Sequence, residues 1–136
     1  MIVFLDTSAF YAVLDGDDAN HKQAQAEWAN LIGTENTLVT TNYIVEETFA
    51  LAQNRLGLEA ARAFQEDVLP LINLEWVTAD IHRAGVAVVL AASRRGLSLV
   101  DCVSFEIMRA SGIKVAFAFD RHFADQGFSV IPGLTR

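Results

Sequence analysis

Short apolar runs alternate with longer stretches of helical spacing, and this alternation constrains the fold more than any other feature of the chain. Ile2–Leu5 (IVFL) is apolar at every position, as expected of a strand buried on both faces. Further strands are expected at Thr37–Val39, Leu74–Val77, Lys114–Phe119 and Phe128–Ile131. Helices are expected at Ala9–Leu14, His21–Ile32, Tyr43 to Arg55, Leu58–Leu69 and Val100–Ala110. One more, capped by Thr78, carries Ile81, Ala84, Val88 and Ala92 on one stripe and ends near Gly96. Ser8 is placed to cap the first helix, and Pro70 to stop the one that begins at Leu58. The expected architecture is α/β, with a mostly parallel sheet covered on both faces by helices. Ligands bind such sheets beyond the carboxyl ends of the strands, and Asp6 and Asp120 each fall just past one.

A chain of 136 residues, 52% hydrophobic, can bury a core without disulfides, and residues 1–136 read as one domain. A net charge of −7 argues against a broad basic surface for non-specific nucleic-acid binding. It says less about a local site, because charges gathered in one cleft are diluted in a whole-chain count. The single cysteine, Cys102, has no intramolecular partner and reads as a packing residue in a reducing compartment. The longest apolar stretch, Ala84–Ala92, is too short to span a bilayer, so a soluble, cytoplasmic protein with no membrane association is expected. Trp28 and Trp76 read as packing residues. Ala9–Leu14 is apolar nearly all round, which implies deep burial or a covering partner.

Four acids stand where a cluster could assemble at the sheet edge: Asp6 after the first strand, Glu47 in TTNYIVEETFAL, Asp101 in LSLVDCVSF and Asp120 in VAFAFDRHF. Each also has a purely structural explanation. Asp120 could cap the turn at Arg121–Phe123, Ser98 and Asp101 have capping-box spacing, and Glu47 could be a helix-surface residue like Glu46. Together they are harder to treat as caps. Two carboxylates about 5 Å apart repel by roughly 3 kcal/mol at an effective dielectric of about 20, so four converging need a cation or retained protons. Oxygen donors without zinc-spaced Cys or His favour a hard ion such as Mg²⁺ or Mn²⁺. Composition and spacing lead to this acidic site and name no substrate.

With those residues in view, the chain resembles the PIN domain, and more narrowly the VapC-type toxins of bacterial type II toxin–antitoxin pairs. The resemblance rests on a strand ending in LDTSAF, a helix entered through TTNYIVEET, SLVD at a later helix start and a strand running into AFAFDRHF. It covers nearly the whole chain. It implies a three-layer α/β/α sandwich and a metal-dependent endoribonuclease that hydrolyses RNA phosphodiesters. Carried over by position, the family's acids fall on Asp6, Glu47 (rather than Glu46), Asp101 and Asp120, with Asp125 the less suitable substitute for the last. Thr7 or Ser8 matches the small hydroxyl residue that supports the site. Asp6 and Asp101 would hold one Mg²⁺, for which Mn²⁺ could substitute, with Glu47 and Asp120 completing the site or a second metal position. The resemblance also implies a VapB-like antitoxin, an RNA substrate and a homodimer.

The cations nearest the acids in sequence are Arg94 and Arg95, ahead of SLVD, and Arg121 with His122 after Asp120. Arg95 and Arg121 are candidates for phosphate contact, since a guanidinium can bond two oxygens. His21, His82 and His122 show no paired spacing, so a metal-free ribonuclease using histidine acid and base is not expected. Three alternatives stay open: a PIN nuclease of RNA processing without an antitoxin, a non-catalytic interaction module with solvated acids, and a haloacid-dehalogenase-like phosphatase. The last needs D-x-D, and position 8 is Ser.

Overall fold

A computed structural model describes residues 1–133. Strands β1 (Ile2–Leu5), β2 (Thr37–Thr41), β3 (Asn73–Glu75), β4 (Val115–Phe117) and β5 (Ser129–Ile131) form one parallel sheet in the order β3-β2-β1-β4-β5. Flanking it are helices α1 (Thr7–Leu14), α2 (His21–Gly33), α3 (Asn42–Arg55), α4 (Leu58–Ala63), α5 (Ala79–Ala92), α6 (Leu99–Ser111) and α7 (His122–Asp125). The expected α/β class and parallel sheet are both observed.

β1 is central, and Val3, Phe4 and Leu5 are wholly buried, as its unbroken apolar sequence requires. The chain winds outward from β1 through β2 to β3, crosses back to β4 and winds out again to β5. The winding therefore reverses between β1 and β4, and a crevice opens beyond their carboxyl ends at such a point. Asp6 and Asp120 leave the sheet there.

A cluster of rings fills the β4–β5 side of the core. Phe123 lies against Phe105 with centroids 5.0 Å apart, and Phe128 lies against both rings. Under α1, Phe10 meets Phe64 edge-on at 5.1 Å. The apolar α1 is covered by α2 and α3, so burial within the fold accounts for its composition. Cys102 is buried and unpaired, as expected. α5 and α6 pack closely because Gly85 has no side chain: a Cβ there would stand 2.7 Å from Val103 Cγ2. No helix of the described residues is long and apolar enough to cross a membrane.

Several expectations need correction. The first helix is capped by Asp6, whose carboxylate accepts the Ser8 amide, rather than by Ser8. The expected helix Leu58–Leu69 is α4 followed by a π-helical turn at Phe64–Val68 and a 3₁₀ turn at Leu69–Leu71. Pro70 has no N–H for the helix ladder and its ring crowds the preceding turn, so the regular helix ends early. β4 stops at Phe117, short of Phe119, because the Ser8 side chain takes the Phe119 amide. β3 covers Asn73–Glu75 at the sheet edge, and Trp76 beyond it is 69% exposed, not packed. On α5 the inward stripe runs through Ile81, Gly85, Val89 and Ala92, leaving Val88 outside. That helix ends at Ala92, where Ser93 turns left-handed with φ 51°.

Candidate active site

A cleft of about 470 Å³ opens at the switch point, and Asp6, Thr7, Ser8, Glu47, Asp101 and Asp120 all line it. Each acid arrives there by a local rule. Asp6 caps α1 and so must sit at the first turn after β1. Asp101 occupies the third position of α6 and completes a capping box: its amide donates to Ser98 Oγ at 3.0 Å, and its Oδ2 accepts the Ser98 amide at 3.4 Å. Asp120 Oδ1 accepts the His122 amide at 2.9 Å, closing the turn into α7. Thr41 caps α3 and so sets its start, and Glu47 is half-buried on the face of that helix that lines the cleft. The capping roles hold for Asp101 and Asp120, yet both caps aim their carboxylates into one space.

Asp6 is 4% exposed and Asp101 is 8% exposed. Both bonds from Ser8 fall on one oxygen of Asp6: the hydroxyl donates to Oδ2 at 2.6 Å and the amide at 3.0 Å. Oδ1 receives no hydrogen bond among the described residues. Burial pushes the Asp6 carboxyl up to about 7, against the lowering effect of the Ser8 bonds, and the nearby charges of Asp101 and Asp120 push the same way. Burial and then Asp120 also raise the Asp101 carboxyl, against its bonds from Ser98 and His122. Among the described residues five carboxylates line the cleft, since Asp18 joins the four expected, and no Lys or Arg does.

The residues expected from sequence divide cleanly. Glu47 lines the cleft, whereas Glu46 is exposed and borders an apolar groove with Phe49, Leu74 and Trp76. Asp120 lines it, and the exposed Asp125 does not. Thr7 is buried and its hydroxyl meets that of Thr48 at 3.4 Å. Arg94, Arg95 and Arg121 are exposed and none lines the cleft, so the phosphate-binding guanidinium expected of Arg95 or Arg121 is absent from its walls. These arginines sit on turns that project from the elements carrying the acids, and sequence proximity does not make them neighbours.

Two contributors went unnoticed in the sequence, and a third was read there only as a cation beside the acids. His122 Nδ1 stands 3.3 Å from Asp101 Oδ2 and 3.1 Å from Asp120 Oδ1, and ligand atoms of these three residues lie within 4.8 Å of one another. The sequence places His122 among the cations nearest the acids, and two residues past an acid on a tight turn is within side-chain reach. Asp18 and Asn20 come from the loop DGDDAN, which reads as an ordinary turn and lines the cleft only because α2 returns along α1.

The oxygen donors suit a hard divalent ion. A buried carboxyl held near 7, with no Lys or Arg lining its cleft among the described residues, is a group that a cation would ionise.

Residues 3–129 match the PIN domain family. The chain is 34% identical over 128 residues to the 23S rRNA-specific endonuclease VapC20 of Mycobacterium tuberculosis, covering 93% of this chain and 95% of that one. The crystal structure of that sarcin–ricin-loop-cleaving toxin superposes with a TM-score of 0.83 at 33% identity, over 93% of this chain and 95% of the other. VapBC2 from Rickettsia felis, bound to a promoter DNA fragment, gives a TM-score of 0.70 at 12% identity, over 96% and 97% of the two chains. At that identity the likeness is one of fold.

Proposed function

The chain belongs to the PIN-domain family, and from that premise we propose that its acid cleft is the catalytic centre of a VapC-type endoribonuclease dependent on Mg²⁺, with Mn²⁺ able to substitute. The observation that carries the reading is the convergence of Asp6, Glu47, Asp101 and Asp120 on one cleft at the switch point of the sheet, with no Lys or Arg lining it among the described residues. Solvated caps would have no reason to share a cavity.

Asp6 and Asp101 would hold the ion, with Glu47 and Asp120 completing the site or a second position. A divalent ion supplies a water of lowered pKa and neutralises charge on the phosphate under attack. The protein's own part is to fix the donors in advance. Ser8 immobilises one oxygen of Asp6 and leaves the other available. The Ser98 amide does the same for Asp101, and His122 bridges Asp101 and Asp120 so that their repulsion does not splay them. Thr7 and Thr48 buttress the floor.

Ribosomal RNA is the proposed substrate, on the strength of the 34% identity to an enzyme specific for 23S rRNA. A VapB-like antitoxin as inhibitor and a homodimer as the active assembly belong to the same reading, which treats residues 1–136 as one nuclease domain acting in the cytoplasm. Induced expression in a bacterial host tests it. The wild-type chain is expected to arrest growth and leave cut 23S rRNA, and Asp101→Asn to do neither. Growth arrest by both proteins, with intact ribosomal RNA, would overturn the reading.

A further inference from the structure

A second cavity of about 300 Å³ adjoins the acid cleft and shares Asn20, Phe119 and Asp120 with it. Its composition differs from that of the cleft. Asn20 and Gln23 contribute polar amide residues to its lining, and Ala124, Val130 and the half-buried Phe119 contribute apolar ones, with Asp120 on the border shared with the cleft. Among the described residues its lining includes no Lys or Arg. Apolar lining beside side-chain amides is the chemistry that complements a nucleobase. The ring face stacks on aromatic or aliphatic groups, and the base edge exchanges hydrogen bonds with groups that both donate and accept. The volume lies at the lower end for small-molecule sites, enough for one base and too little for a duplex.

We propose that this cavity receives the base of an unpaired nucleotide next to the scissile phosphate, and that Gln23, with Asn20, reads its edge. The inference rests on the nuclease reading above and assigns the neighbouring subsite. Sharing Asp120 and Phe119 with the cleft places the base within one nucleotide of the bond to be cut. It also requires the target to be looped or single-stranded, since a paired base could not leave its stack to enter. Ala124 and Gln23 are exposed residues of α7 and α2, so both can be changed without disturbing the core.

The test is to cut total bacterial RNA with the purified full chain in Mg²⁺ or Mn²⁺ and sequence the new 5′ ends. The base preference at each position around the cut is the readout. Wild type is expected to show a marked preference at one position beside the cut. Gln23→Ala is expected to reduce the preference at that position about 10-fold, the effect of losing about 1.4 kcal/mol of discrimination, and to leave the other positions unchanged. Ala124→Phe, which fills the cavity, should erase the same preference while melting like wild type. An unchanged preference in both variants overturns the inference and leaves the nuclease reading standing, including the case in which the cavity serves an antitoxin peptide. Failure of the wild type to cut any RNA overturns both together.

Discussion

The Ser8 hydroxyl donates to Asp6 Oδ2 at 2.6 Å and accepts the Phe119 amide at 2.9 Å. One side chain thereby joins the acid that follows β1 to the backbone that leaves β4, across the point where the sheet reverses its winding. Ser8→Ala removes both bonds and strands a backbone N–H, which should lower stability by about 1–3 kcal/mol. Ser8→Thr keeps the hydroxyl and should recover most of that loss along with cleavage. Chemical denaturation of the three proteins checks this, and an alanine variant as stable as wild type would contradict it.

Asp6 makes the fold sensitive to pH when no metal is bound. Its carboxyl is raised from 3.8 to about 7 by burial, so the folded state holds the proton more tightly than the unfolded chain does. Between those two values the folded state carries the extra proton, and stability therefore falls as pH rises from about 4 to about 7 and levels off above. The full penalty is of the order of 4 kcal/mol. Asp6→Asn cannot titrate. In chelator it should melt higher than wild type at pH 8, with the gap closing toward pH 4, and it should be inactive. Melting curves across that range test the sign directly.

Much of this was legible in the sequence, for identifiable reasons. IVFL had to be a buried strand because it offers no polar face, and the acid behind it could only lie at the strand's end. The choice of Glu47 over Glu46 came from the resemblance, and helix geometry agrees: adjacent residues point about 100° apart, so only one can face the cleft. Asp18 and Asn20 were not legible, and His122 was legible only as a cation near Asp120. They reach the site through the return of α2 and the tightness of one turn, which no local pattern reports. Trp76 was misread because apolar character alone does not tell the edge of a sheet from its interior.

The two neighbouring glutamates give a controlled comparison. Glu47→Gln should reduce cleavage about 10–100-fold or more, by removing a charge from the donor set. Glu46→Gln should stay within about twofold of wild type, the expectation for an exposed residue outside the cleft. Rates measured side by side at saturating Mg²⁺ check both, and equal losses would place the functional acid elsewhere.

His122 is expected to act through the carboxylates it touches. His122→Ala frees Asp101 and Asp120 to move apart. It should raise the Mg²⁺ concentration needed for half-maximal cleavage about 10–100-fold, with a smaller change at saturating metal. A metal titration separates this from general damage, which would lower the maximum rate and leave the midpoint in place.

The central claim is that the acid cleft cuts RNA with a divalent ion held at Asp6. Its most direct test is cleavage of bacterial ribosomal RNA by the purified wild type and by Asp6→Asn, each with Mg²⁺ or Mn²⁺ and each with chelator. Cutting by wild type with metal only, and none by a variant shown to be folded by its melting curve, is the predicted result. Cutting by wild type in chelator, or undiminished cutting by the folded variant, would contradict the account.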